Sequence, residues 1–174
     1  LVDKMMERYN QNRVVVYNTF QMYRHDRLSF LKSSFERALR QNYLLGAKLV
    51  RGAYMDKERK RAEDLGYPSP IQKDKTATDR DYNAGIKFCL EHYEKISVCN
   101  ATHNQESCQL MAEIIDGMKV SKNHAHLNFC QLYGMSDNLT FNLAAAGYNA
   151  AKYLPYGPVR EVIPYLVRRA QENS

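Results

Sequence analysis

The stretch "GAKLVRGAY", residues 46–54, has the pattern of a strand that is buried on both faces. Its apolar residues form a nearly continuous run, which is typical of strands in parallel sheets. The run ends in Arg51, Gly52 and Ala53, and the glycine would let a ligand approach the backbone closely. The stretch therefore predicts a buried strand whose carboxyl end contacts a ligand. The alternative is a strand end whose charges, Lys48 and Arg51, are simply solvated.

Four more apolar runs of this kind follow the same rhythm along the chain. They lie at residues 13–20, 95–104, 126–134 and 148–157, and helical patterns separate them. Alternation of strands and helices predicts an α/β fold with a parallel sheet. Each run ends in polar residues or glycine, and no GxGxxG fingerprint occurs. Polar groups at five strand ends favour a (β/α)8 barrel of the TIM type over a doubly wound sheet.

Five strand–helix units are about five-eighths of an eight-stranded barrel. We therefore expect residues 1–174 to be a single domain that forms the C-terminal portion of the barrel, with the upstream strands outside this sequence.

Two helical patterns between and after the strands are clear. The pattern at residues 27–42 places Leu28, Leu31, Phe35 and Leu39 on one stripe. The closing helix has its own apolar stripe, consisting of Val159, Val162, Ile163, Leu166, Val167 and Ala170.

Composition narrows the class of protein. The 174 residues carry a net charge of +6 and 44% hydrophobic residues, which suits one soluble domain. The basic segment "DKERKRAEDLG", residues 56–66, interleaves acids with bases, which is typical of a solvated helix face. No basic run carries interleaved aromatic residues, so a nucleic-acid partner is not predicted. The four cysteines form no CxxC pair, which favours free thiols over disulfides.

Histidines offer few candidates for chemistry. His103 ends the run "ATHN", residues 101–104, and could be a base, a ligand contact or a structural histidine. His124 and His126 alone do not make a metal site, and no metal is predicted. No serine lies in a GxSxG context, so covalent catalysis by serine has no support.

Two adjacent arginines near the end of the chain are either a binding site for an anion or a solvated helix end. Tyr165, Arg168, Arg169 and Glu172 fall on one face of the closing helix. Two guanidinium groups at a barrel mouth could fork around one carboxylate. The alternative is that the pair is a solvated helix end, where the helix dipole favours cations.

Four motifs occur in order: "KLVRGAYM" (48–55), "ATHN" (101–104), "QLYGM" (131–135) and "KYLPYGPVREVIPYLVRRAQENS" (152–174). Together they closely resemble the FAD-dependent proline dehydrogenases, most of all the monofunctional, eukaryotic-type branch. The resemblance implies a distorted (β/α)8 barrel whose last helix lies beside the flavin. It also implies oxidation of L-proline to Δ1-pyrroline-5-carboxylate, with hydride transfer to FAD and a quinone as electron acceptor.

The resemblance also assigns site residues by matching motif positions. It implies that the substrate is bound by Arg168, Arg169, Tyr153, Leu132 and Tyr54. It implies contacts to FAD from Asn18, Lys48, Arg51, Gly52, Ala53, Thr102, His103, Asn104, Gln131 and Glu172. Bifunctional bacterial members place a flavin-contacting glutamine one position earlier than Gln131, where this sequence has Cys130. Relatives that prefer 4-hydroxyproline carry a smaller residue at the position of Tyr153, so L-proline is the expected substrate.

Partners and location follow from the same resemblance. It implies an N-terminal barrel segment as a partner and peripheral association with a membrane. It implies the matrix side of the mitochondrial inner membrane for a eukaryotic source, and the cytoplasm or the membrane periphery for a bacterial one. The alternative function is a basic α/β binding module that keeps the fold without redox activity. Flavin absorbance of the purified protein would separate the two.

Overall fold

The computed structural model describes the backbone of residues 1–172 and the side chains of residues 1–167. In chain order its elements are α1 (Val2–Tyr9), β1 (Asn18–Gln21), α2 (Arg27–Arg40), β2 (Leu45–Val50), α3 (Met55–Leu65), α4 (Lys75–Glu91), β3 (Ile96–Ala101), α5 (Gln105–Gly117), β4 (Leu127–Leu132), α6 (Asp137–Ala145), β5 (Asn149–Tyr153) and α7 (Val159–Glu172). The five strands form one sheet in the order β1-β2-β3-β4-β5, and every neighbouring pair is parallel. The predicted α/β class and parallel sheet are confirmed.

One face of the sheet is covered by helices and forms the core. Phe20, Leu49, Val98 and Phe129 are completely buried on this outer face, with side chains of α2, α4 and α5 packed against them. Lys48, Cys99 and Cys130, each one position away from one of these residues, are only partly buried and belong to the opposite, inner face. The continuous apolar runs correctly predicted buried strands, but the inner face is less buried than the prediction of two buried faces required.

The first strand is shorter than predicted, because the chain before it is held by a side chain. The fully buried Asn10 accepts hydrogen bonds from the backbone N–H groups of Val15 (3.0 Å) and Val16 (2.9 Å). Its amide donates to the carbonyl oxygens of Val16 (2.8 Å) and Leu44 (3.1 Å). The ladder therefore begins only at Asn18, and residues 14–17 lead into β1 without regular secondary structure.

In helix α2, burial of the predicted apolar stripe is confirmed in part. Leu31 and Phe35 are buried, but Leu39 is 50% exposed, and Ala38 is the buried residue of that turn instead. The charged segment at residues 56–66 is the largely exposed helix α3, as predicted, and it ends at Gly66 in the left-handed conformation (φ 68°).

The predictions for the closing helix α7 and for the cysteines have different outcomes. On α7, Val159, Ile163, Leu166 and Val167 are each about half exposed or more, so these members of the predicted stripe are not packed in the core. The side chain of Ala170 lies outside the described residues. Each of the four cysteines is a free thiol, as predicted. None of the helices in residues 1–172 is long and apolar enough to cross a membrane.

Replacing Asn10 by alanine should destabilise the protein by about 2–4 kcal/mol, because it leaves backbone groups around Val16 without partners in a buried position. The matched control is Asn142→Ala on the exposed side of α6, which should change stability by less than about 0.5 kcal/mol. Chemical denaturation of both variants measures the difference. Equal stabilities of the two variants would contradict the role given to Asn10.

Candidate active site

A cavity of about 520 Å³ opens at the carboxyl ends of the strands. Its size lies within the range of small-molecule and cofactor sites. It brings together nearly all of the predicted site residues whose side chains are described: Lys48, Arg51, Gly52, Ala53, Tyr54, Thr102, His103, Asn104, Gln131, Leu132 and Tyr153. The exception is Asn18, which does not line the cavity. The side chains of Arg168, Arg169 and Glu172 lie outside the described part of the chain.

Several lining residues were not predicted from the sequence. They are Thr19, Gln21, Val50, Lys75, Ala101, Cys130 and Tyr165. The twofold period of a strand could have identified most of them, because a buried outer residue fixes the inner ones on either side. Phe20 is completely buried, for example, and its neighbours Thr19 and Gln21 line the cavity. Lys75 lies on a helix, where no such signal existed, whereas Tyr165 shares the predicted helix face of Arg168 and Arg169.

Arg51 is held by three elements at the end of β2. Its Nε donates to Asp79 Oδ1 on α4 (2.7 Å), its Nη1 to Thr102 Oγ1 after β3 (2.8 Å), and its Nη2 to Ser107 Oγ on α5 (3.0 Å). The guanidinium carbon also lies 4.3 Å from the ring centroid of Tyr82. This fork of contacts fixes the direction of the guanidinium group before any ligand binds.

The "ATHN" segment turns the end of β3 into the start of α5. Thr102 Oγ1 accepts a hydrogen bond from the backbone N–H of Asn104 (3.1 Å) as well as the one from Arg51. Asn104 Oδ1 in turn caps α5 by accepting from the N–H of Ser107 (2.8 Å). The side chains of Thr102 and Asn104, two of the predicted ligand contacts, therefore also stabilise the local backbone through hydrogen bonds.

His103 and Gln131 connect the same region to α6. The Nδ1 atom of His103 lies 2.9 Å from Ser136 Oγ at the start of α6. Gln131 is 1% exposed; its Nε2 donates to Thr102 O (3.1 Å), and its Oε1 accepts from Thr140 (2.9 Å). The amide of Gln131 thus links β3 with α6 from the outer face of the sheet, while Cys130 beside it is on the inner face.

Lys48 projects from the inner face and not toward the helices. Its Nζ lies 4.5 Å from the ring centroid of Tyr153, and that ring packs edge-on against Tyr165 of α7 at 6.0 Å. Arg51, in contrast, is directed toward α4 and α5 by its hydrogen bonds, although both residues line the cavity. The aromatic contact joins the closing helix to the wall of the cavity.

Gly52 is needed where the chain leaves β2. Its φ of 122° is unfavourable for residues with a side chain, and an added Cβ would lie 2.1 Å from the ring of Tyr23. The backbone of Gly52 and Ala53 is consequently part of the cavity wall itself.

The charge of the cavity is positive. Among the lining residues that the structure describes, Lys48, Arg51 and Lys75 are cationic and none is acidic. Burial tends to raise the pKa of Asp79, but hydrogen bonds from Lys75 (2.6 Å) and Arg51 outweigh it and lower that pKa. With Asp79 ionised and paired, the cavity suits an anionic ligand that accepts several hydrogen bonds.

The sequence profile of the proline dehydrogenase family matches residues 1–174. This chain belongs to the proline dehydrogenase family. A relative from Drosophila melanogaster, "Proline dehydrogenase 1, mitochondrial", is 42% identical over an alignment of 181 residues, gaps included. This alignment covers 98% of this chain. The "Hydroxyproline dehydrogenase" of Xenopus laevis is 40% identical, also over 98% of this chain.

A solved structure of proline utilization A (PutA) from Bdellovibrio bacteriovorus, inactivated by N-propargylglycine, has the same fold over 98% of this chain. The TM-score is 0.88 and the sequence identity is 28%. The barrel assignment is therefore confirmed at the level of fold. The chain spans 27% of the Drosophila relative, 37% of the Xenopus relative and 18% of the PutA chain.

Replacing Asp79 by asparagine should loosen Arg51 and cost about 1–2 kcal/mol of stability near pH 7, because a charge-assisted hydrogen bond is lost. The pKa of Asp79 is lower in the folded protein than in the unfolded chain. Its contribution is therefore present above the unfolded value and is lost as the pH falls through the folded one. Denaturation of wild type and variant at several pH values should show the difference shrinking at acid pH. A difference that does not depend on pH would contradict this account.

Proposed function

We propose that this chain forms the flavin- and substrate-binding part of a FAD-dependent proline dehydrogenase that oxidises L-proline to Δ1-pyrroline-5-carboxylate. The observation that carries the proposal is the cavity at the strand ends, where the motif residues of the family converge around Arg51. Membership of the family supports proline as the substrate class. The electron acceptor that we propose is a quinone.

The residues present fit a flavin dinucleotide. A pyrophosphate needs cations and hydrogen-bond donors, and Lys48, Arg51 and Lys75 supply cations within one cavity. The residues that we propose to hold FAD are Asn18, Lys48, Arg51, Gly52, Ala53, Thr102, His103, Asn104, Gln131 and Glu172. For Gln131 and Asn18 the contact would come from their strand segments, since the Gln131 side chain is occupied and Asn18 does not line the cavity, whereas its neighbour Thr19 does.

When bound, FAD supplies the hydride acceptor for the proline ring carbon next to nitrogen. The chain's own part is to orient that ring and to exclude water. Tyr54, Leu132 and Tyr153 would line the substrate pocket, because all three border the cavity. The Lys48–Tyr153–Tyr165 contacts would keep this wall in place.

The proline carboxylate would be bound by Arg168 and Arg169. Tyr165 lines the cavity from α7, and the two arginines follow it by three and four residues on the same helix. Residues at these spacings share one helix face. Two fixed guanidinium groups facing the cavity would bind a carboxylate in one orientation and so position the ring.

Assembly and location are also proposals. In residues 1–172, β1 and β5 each pair with one strand only, so further strands would complete the barrel next to them. The relative from Drosophila melanogaster is named as mitochondrial. We propose the same compartment, at the matrix side of the inner membrane, for a protein of eukaryotic source, with peripheral contact to the membrane where the quinone is reduced.

The experiment that tests the function combines a spectrum with turnover. The protein that contains this chain should be yellow, and L-proline should bleach the flavin absorbance and reduce a quinone analogue. NAD should neither bind tightly nor replace the flavin. A colourless protein that takes up no FAD would favour the alternative, a binding module without redox activity.

Arg168→Met and Arg169→Met should each weaken binding of a proline-like carboxylate inhibitor by about 2–5 kcal/mol, because one charge-assisted, desolvated contact is lost. Arg160→Met is the matched control, since Arg160 is exposed in the first turn of the same helix. Replacing a solvated arginine should cost less than about 0.5 kcal/mol. Titration of the three variants decides. If all three bind the inhibitor equally well, the arginine pair is only a solvated helix end.

Tyr153→Ser should shift the preference from L-proline toward 4-hydroxyproline, because a smaller side chain leaves room for the added hydroxyl and can bond to it. Tyr156→Ser is the matched control, since Tyr156 is 99% exposed. The ratio of kcat/KM for the two substrates measures the effect. An unchanged ratio in Tyr153→Ser would remove Tyr153 from the substrate pocket.

A further inference from the structure

Ser136 occupies a left-handed backbone position between β4 and α6. Its φ of 50° and ψ of 46° lie in a region that residues with a side chain rarely adopt. A serine that precedes a helix commonly caps it with its hydroxyl, but Ser136 makes no side-chain cap to α6. Its Oγ lies instead 2.9 Å from Nδ1 of His103, 33 residues away in the chain. The hydroxyl therefore serves the loop after β3 and not its own helix.

The segment that carries Ser136 is anchored without the help of that histidine. Lys152 of β5 donates to the carbonyl oxygen of Met135 (2.6 Å) and forms an ion pair with Asp137 (2.6 Å). The carbonyl oxygen of Ser136 accepts hydrogen bonds from the backbone N–H (3.1 Å) and the hydroxyl (3.2 Å) of Thr140 in α6. The backbone on both sides of Ser136 is thus fixed, which places its side chain before any ligand binds.

Ser136 has a route to the cavity through His103. The imidazole of His103 borders the cavity, whereas Ser136 is absent from its lining. Both residues are partly buried. A contact from outside the cavity to a residue of its wall can orient that residue without touching the ligand.

We propose that Ser136 is a positioning residue for His103. Its hydroxyl donates to Nδ1, which holds the imidazole in one orientation and keeps the proton of the neutral ring on Nε2. The effect on FAD rests on the proposed function, in which His103 contacts FAD. The hydrogen bond and the tautomer do not depend on it.

A serine hydroxyl suits this role because of the chemistry of imidazole. A neutral imidazole has one nitrogen that donates and one that accepts. A donor at Nδ1 therefore leaves the proton on Nε2, and the cavity, whose described charged residues are cationic, suits a ligand that accepts hydrogen bonds. If the ring becomes charged, the hydroxyl can turn and accept from Nδ1, so the contact is kept in both states.

The first test removes the hydroxyl without straining the backbone. Glycine adopts a positive φ freely, so Ser136→Gly should fold as well as the wild type. Lys119→Gly is the matched control, because Lys119 is exposed and has a similar φ of 56°. The affinity for FAD, measured by quenching of flavin fluorescence in the protein that contains this chain, should fall about threefold to tenfold in Ser136→Gly alone, as expected for loss of one hydrogen bond.

Ser136→Ala repeats the measurement with the Cβ atom retained. If both Ser136 variants bind FAD as tightly as the wild type, the proposal is wrong.

A double-mutant cycle separates positioning from a merely structural role. In a His103→Ala background, Ser136→Gly should have no further effect on the affinity for FAD, because the ring that it positions is absent. A loss of the same size in both backgrounds would show that Ser136 acts through the backbone of the loop, and it would overturn the proposal.

A measurement that needs no FAD tests the tautomer. Nitrogen NMR of the ring of His103, in the flavin-free protein at a pH at which the ring is neutral, should find the proton on Nε2. A proton on Nδ1 would contradict the hydrogen-bond direction that we propose. If the wild type shows the expected tautomer but binds no FAD, the proposed function fails and the role of Ser136 toward FAD fails with it, while its hydrogen bond to His103 is supported.

Discussion

The hydrogen bonds of Arg51 are the interaction on which the site depends. One guanidinium group joins the end of β2 to Asp79 on α4, to Thr102 after β3 and to Ser107 on α5. Each partner comes from a different part of the chain, so the cation can be fixed only after the sheet and both helices have assembled. Folding thus produces a preorganised positive group at the strand ends, where parallel α/β proteins bind their ligands.

A second constraint is the division of each strand into two faces. Outer residues such as Leu49 and Phe129 pack against the helices and form the core. The inner residues are therefore not needed for core packing. Lys48 and Cys130 can therefore line the cavity without loss of core packing. The same alternation explains why neighbouring positions have unrelated roles: the amide of Gln131 bonds to Thr140 of α6, while Cys130 is on the inner face of the sheet.

Much of this arrangement could be predicted from local patterns. Apolar runs correctly indicated the five strands, and the motifs correctly indicated a cluster at their ends. Features that depend on distant residues could not be read in this way. The late start of β1 depends on Asn10, whose partner Leu44 is 34 residues away. Leu39 fits the helical period of α2 but is exposed, because Ala38 faces the core in that turn. The bonding of Arg51 to Asp79 across 28 residues also leaves no local signal.

We propose that Arg51, fixed by its protein partners, helps to hold FAD. The most direct test is the dissociation constant for FAD, measured by quenching of flavin fluorescence, in wild type and in Arg51→Gln. Arg61→Gln serves as the control, because Arg61 is exposed on α3. We expect the affinity for FAD to fall about tenfold or more in Arg51→Gln alone, because a charge-assisted contact is lost. Equal affinity in all three proteins, or no binding of FAD by the wild type, would contradict it.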